Sequence, residues 1–186
     1  MDLGRVALRG IVGPLFIGHG TQKLFGWFGG HGPDATGNAF ESMGLRPGKR
    51  HATAAGVAET AGGALLTLGA LTPIASAVVS GAMITAIRKV HGKNGPWVTG
   101  GGYEYNLALI GIATALTEAG PGRPSVDAAL LPRFKGNGLA LLQLAAAGVG
   151  SYLATTRFTE EEEPVPSEQS RRFVREPAEE TAPQTV

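Results

Sequence analysis

The chain has 186 residues, a formal net charge of +1, 6% aromatic residues and no cysteine. Its length suffices for one domain with a real core. The near-zero charge removes any global pull toward nucleic acid, and the missing cysteine excludes disulfides, Cys-ligated zinc, iron–sulfur ligation and a thiol nucleophile from this chain. The charge is unevenly spread: residues 1–156 carry 12 Lys+Arg against 7 Asp+Glu, and the last 30 carry 4 against 8. A weakly basic, Ala/Gly-rich body precedes an acidic tail.

The first apolar window, 3–23, contains Arg5, Arg9, Pro14 and His19. A proline there is tolerable if neighbouring helices re-satisfy the freed carbonyl. The window lacks a small-residue cleavage site and runs directly into "GHGTQKLFGWFGGHG" (18–32), so it reads as a first membrane span, not a signal peptide. A motif loop at 24–51 leads to window 52–71, whose one ionisable group is Glu59. The uncharged run 74–87 is followed by a second motif loop, 88–106, and by window 107–116. Window 138–154 is uncharged and includes Gln143 and Ser151. A span of the hydrocarbon core needs about 20 mostly apolar residues, with roughly 17 as a lower limit.

A soluble helical bundle is the plain alternative at a mean hydropathy of +0.07. Against it, 52–71 and 138–154 lack the charged outer face that a soluble helix needs. Small residues also recur at helical spacing, as in Ala55/Glu59/Gly63 and Gly62/Leu66/Ala70, which lets membrane helices approach closely. The expected fold is all-α, a polytopic membrane bundle with five spans. Alternation places both motif loops and the C-terminal tail on one side, with eight Lys/Arg near the spans against five opposite, which favours a cytoplasmic motif face. Residues 157–186 are too polar to bury a core and are expected to be disordered, with "RRFVRE" as a docking segment.

That topology gathers His19, Lys23, Glu59, His91, Asn94, Tyr103, Glu104 and Asn106 at one membrane face. His19 and Lys23 are four apart and share a helix face. Glu59 lies roughly 10 Å below the start of its window, where a charged carboxylate costs about 2.5–3.5 kcal/mol. It therefore needs a partner, with His19 or Lys23 nearest, or a role; the plain alternative is a Glu that only fixes helix packing. His91 also reads as an interfacial histidine, and Glu104 as a carboxylate favouring the positive end of a helix. Trp27, Trp97, Tyr103 and Tyr105 fit an interfacial aromatic belt. The glycines at 26–32 follow a helix and lack Gly-Lys-Ser/Thr, so they are no phosphate loop. Glu-x-x-His pairs are absent, and no metal site is expected.

Four blocks, "LFIGHGTQKLFGWFGGHGPDATGNAFESMGLRPG", "AGVAETAGGALLTLGALTPIAS", "VHGKNGPWVTGGGYEYNLALI" and "GPGRPSVDAAL", resemble the DoxX family of bacterial membrane proteins in order and spacing over about residues 3–131. The resemblance implies a four-helix membrane core at 1–131, with an additional transmembrane helix at 132–156 and the charged tail at 157–186 beyond it. The family's signature positions fall on His19, Gly20, Lys23, Phe25, Gly26, Gly29, Gly30 and Gly32, on Glu59, Gly62 and Gly63, and on His91, Asn94, Gly95, Glu104, Tyr105 and Asn106.

The resemblance also implies a link to sulfur and redox metabolism. The family name comes from subunits of thiosulfate:quinone oxidoreductase, and other members accompany oxidative-stress defence and cytosolic thiol-handling enzymes. On this reading the chain is a component of the bacterial inner membrane, and an oxidoreductase subunit if it is catalytic. His19, Lys23, Glu59, His91 and Glu104 are the candidate catalytic residues. Trp27, Asn94, Tyr103 and Asn106 form the candidate rim of a pocket for a quinone head group or a small sulfur species. Without cysteine or a visible flavin or haem motif, electrons come from soluble redox enzymes reached through the loops and tail. The expected partners are the bilayer, those enzymes and a second copy of the chain, with no nucleic acid. A non-enzymatic scaffold for cytosolic detoxification enzymes, and a small-molecule transporter or channel, stand as alternatives.

Overall fold

The computed structural model describes residues 2–156; the expected disordered tail and its "RRFVRE" segment lie outside them. The described residues form helices and turns without a strand: α1 (Leu3–Phe25), α2 (Gly32–Ser42), α3 (Gly48–Leu68), α4 (Thr72–Ala86), α5 (Glu104–Ala119), α6 (Val126–Leu130) and α7 (Asn137–Thr156). The five long helices fall on the five apolar windows. Helix α4 continues through a π turn at Ile87–His91 and a 3₁₀ turn at Gly92–Asn94.

The closest packing joins α1 to α3, antiparallel, and glycine makes it close. A Cβ on Gly13 would stand 2.7 Å from the Gly63 carbonyl oxygen, and one on Gly20 would stand 2.6 Å from that of Gly56. The small-residue seam therefore runs through Gly56 and Gly63, not through Ala55 and Gly63 as the spacing suggests. Gly62 faces Val78 of α4 instead. Helix α1 runs unbroken through Pro14.

Helix α4 packs between α3, α5 and α7. Val79, Leu109, Ala113 and Leu116 meet Val12, Phe16 and Leu66 in one apolar core. Beside that core, the buried Gln143 amide of α7 donates to the Ser76 carbonyl at 3.1 Å and to Ser80 Oγ at 2.7 Å. Helix α7 buries Ala140, Gln143, Ala147, Ser151 and Thr155 while exposing Leu141, Leu142 and Val149. Its polarity is the reverse of a helix packed for water. By length and composition, Thr72–Asn94 and Asn137–Thr156 are apolar enough to cross a membrane.

Two segments depart from the sequence expectation. The loop at 24–51 contains α2, which has Pro33 in its first turn, where the missing N–H is not needed, followed by Asp34. Gly37 lets α2 lie directly on Gly48 and Lys49, and Lys49 pairs with Asp34 at 2.6 Å. Helix α3 accordingly starts before position 52. Helix α5 has 16 residues, about 24 Å of axis, less than the roughly 30 Å hydrocarbon thickness.

Candidate functional site

The α1–α3 seam places the central charges. Lys23 lies in the last turn of α1, where a cation is favoured, just before Gly26 closes the helix in the left-handed region. Helical side chains lean toward their own N-terminus, so on antiparallel helices Lys23 and Glu59 lean toward each other. The Lys23 Nζ donates to Glu59 Oε2 at 2.6 Å and to the His19 carbonyl at 3.2 Å. Glu59 is 8% exposed, and the Lys23 side chain 21%. Of the two partners expected for Glu59, Lys23 is the one within reach.

The His19 ring points elsewhere. Exposed, its Nδ1–H donates to Gln22 Oε1 at 3.1 Å, and the Gln22 amide donates to the Phe28 carbonyl at 3.2 Å. This chain holds the turn Trp27–Gly29, where Trp27 stacks at 5.0 Å on Phe25 and edge-on to Phe28. All three rings are exposed. Gly30 is required because a Cβ there would strike the Gln22 backbone.

The second motif segment closes on itself. The His91 Nδ1–H donates to the Gly101 carbonyl at 2.7 Å, and the Asn94 amide donates to the same oxygen at 3.1 Å. Glu104 Oε1 accepts from the Val98 N–H at 2.7 Å, and the Tyr103 N–H donates to the Gly95 carbonyl. Asn106 is buried between α5 and α4, its amide donating to Met83 Sδ at 3.3 Å. The fold therefore joins Lys23 to Glu59 and leaves His91, Asn94 and Glu104 in a separate loop lock at the same end of the bundle. The two motif segments meet where Lys89 donates to the Met43 carbonyl. Among the described residues no cluster of three or more His, Asp or Glu is placed to hold a metal ion.

Three charged groups that tie the helices together escape the sequence reading. Arg9, 7% exposed, donates to the carbonyls of Thr67, Pro121 and Pro124. Asp127, 2% exposed, accepts from the Leu71 and Thr72 N–H groups at 2.8 and 2.7 Å, capping α4 from another helix. Arg88 donates to Ser151 Oγ and Thr155 Oγ1 and lies over the Tyr152 ring at 5.9 Å, tying α4 to α7. Arg9 carried the available signal: an arginine in an apolar window is the same anomaly that singled out Glu59.

Residues 4–92 match the model of the DoxX family. The matched stretch runs from α1 through the π turn; it contains the first two sequence blocks and only the start of the third, so 93–131 lie beyond it. No curated protein and no solved structure matches the chain.

Proposed function

We propose, from the match of residues 4–92 to the DoxX family, that this chain is a membrane redox component of that family in which Lys23 and Glu59 form the acid–base centre acting on a quinone head group or a small sulfur species. The observation that carries the reading is the 2.6 Å ion pair, mostly enclosed between α1 and α3 at the motif end of the bundle. A charge pair there is costly unless it is used or held tightly. The exposed part of Lys23 gives a ligand its approach.

In this reading the Lys23 ammonium donates to a carbonyl oxygen of the quinone and steadies the charge that develops on it. Glu59 passes the proton that the reduced oxygen takes up. Two electrons reach the quinone from a sulfur-oxidising or thiol-handling soluble enzyme, because this chain has no cysteine; with two protons they give the quinol. The protein spans the bacterial cytoplasmic membrane several times, as the outward leucines of α7 favour, with the motif end and tail on the cytoplasmic side. His19 lies one turn from the pair and serves as the proton's route to solvent. The His91–Asn94–Glu104 lock shapes the rim beside it.

The test is quinone-dependent thiosulfate oxidation in proteoliposomes containing the full chain and a candidate partner enzyme. Glu59→Gln is expected to lower turnover by about a hundredfold, the usual loss when a general acid–base group is removed. Equal turnover in wild type and Glu59→Gln, with both proteins folded, would overturn the assignment.

A further inference from the structure

A cavity of about 110 Å³ opens at the other end of the bundle, where α1 starts and α5 hands over to α6. Its walls come from the start of α1 and from the segment 119–135. That segment lies against α1 because two glycines with positive φ replace side chains. Gly122, at φ 77°, leaves no room for a Cβ beside Asp2 and Arg5. Gly120, at φ 85°, has the Lys135 stem across it. The arrangement is held by backbone partners: Arg5 donates to the Ala119 carbonyl at 2.7 Å, and Asp2 Oδ2 accepts from the Arg123 N–H at 2.8 Å.

The charges lining this cavity are not balanced. Asp2 is occupied by Arg5, at 2.5 Å, and by the Arg123 N–H. Asp127 is occupied by the two amides at the start of α4. The Arg123 guanidinium and the Lys135 ammonium have no hydrogen bond or ion pair among the described residues, yet both line the cavity. Behind the wall, Arg9 is buried on carbonyls alone, one of them from the lining residue Pro121. Three lining cations, Arg5, Arg123 and Lys135, with Arg9 behind them, outnumber the two lining carboxylates, so the field inside the cavity is positive.

We propose that this cavity is an anion-binding site taking a tetrahedral oxyanion of phosphate or sulfate type, with Arg123 and Lys135 as its direct ligands and Arg5 and Arg9 as its fixed positive background. Its volume suits one such group rather than a nucleotide or a larger cofactor. Guanidinium and ammonium donors recognise oxyanions through charge-assisted hydrogen bonds. The same chemistry is offered by a dissolved oxyanion and by a lipid phosphate. The site lies at the opposite end from Lys23–Glu59 and does not depend on the role proposed for that pair.

The experiment uses the full chain in nanodiscs of phosphatidylcholine and, separately, of phosphatidylglycerol. Inorganic phosphate and sulfate are titrated against chloride at matched ionic strength, with thermal stability and native mass spectrometry as readouts. The variant is Arg123→Gln with Lys135→Gln; it spares the Arg123 N–H that holds Asp2, and its unliganded melting temperature should match wild type. A dissolved oxyanion as ligand predicts that phosphate or sulfate stabilises wild type in both nanodiscs, with affinity falling about tenfold or more in the double variant. A lipid phosphate as ligand predicts tightly retained phosphatidylglycerol on wild type, lost in the double variant, and no response to inorganic anions. Wild type and variant behaving alike in both arms would overturn the proposal.

Discussion

Asp127 is a single carboxylate on which two helices depend. The first amides of a helix have no partner within it, and α4 has no side-chain cap of its own. Asp127 accepts from two of those amides while its own N–H donates to the Gly69 carbonyl. Asp127→Ala is expected to cost about 2 kcal/mol in unfolding free energy, the upper range for a lost cap, and Asp127→Asn less; denaturation in a single detergent, with helix content as the probe, measures both. Legibility at this scale followed chemistry that is visible in isolation. Glu59 stood out because a carboxylate in an apolar window demands a partner, and the i,i+4 relation of His19 and Lys23 supplied two options. That spacing could not tell which would reach it, since the answer depends on how side chains lean across the antiparallel seam. Asp127 was silent because its partners are backbone amides some fifty-five positions away, and sequence spacing does not encode those.

Helix by helix, the long elements were legible and their contacts were not. Apolar length located α1, α3, α4, α5 and α7, because a long uncharged or nearly uncharged run leaves its mark in composition, although the run that marked α5 is only ten residues, 107–116. Helix α2 was hidden by its own glycines: "GPDATGNAF" reads as a loop until Gly37 is placed against Gly48. The seam between α1 and α3 provides a sharp contrast. Gly20→Ala puts a Cβ into the Gly56 backbone, whereas Gly18→Ala meets nothing within 4 Å. The first substitution is expected to destabilise by about 1–3 kcal/mol through overpacking and to pull Lys23 away from Glu59. The second should stabilise by about 0.5–1 kcal/mol, since alanine replaces glycine inside a helix. Thermal unfolding of the two variants side by side checks the seam; equal shifts would contradict it.

Across the whole molecule, the end bearing Asp2 responds to acid. The Arg123 N–H and the Arg5 guanidinium hold the Asp2 carboxyl below its ordinary 3.8. A group whose folded value is lowered adds stability that is fully present above its unfolded value and is lost as pH falls through the folded one. Wild type should therefore melt above Asp2→Asn at neutral pH, and the two melting temperatures should converge as pH drops below 3.8. A gap that persists in acid would show that Asp2 acts through something other than its charge.

Arg9 has a consequence in time as well as in space. Two of its three carbonyl partners, Pro121 and Pro124, lie 112 and 115 residues further along the chain. During synthesis α1 and α3 can join through their glycines as soon as both exist, but the arginine then sits among apolar neighbours with only Thr67 to receive its protons. It is satisfied when the segment after α5 emerges and folds back over the start of α1. A nascent chain halted before residue 119 therefore leaves Arg9 with only one of its three carbonyl partners. Such a truncation should be degraded rapidly in cells, and Arg9→Leu in the same truncation should lengthen its half-life in a pulse-chase experiment. The residue that locks the finished bundle would thus also report, from the first helix, that the segment after α5 has arrived.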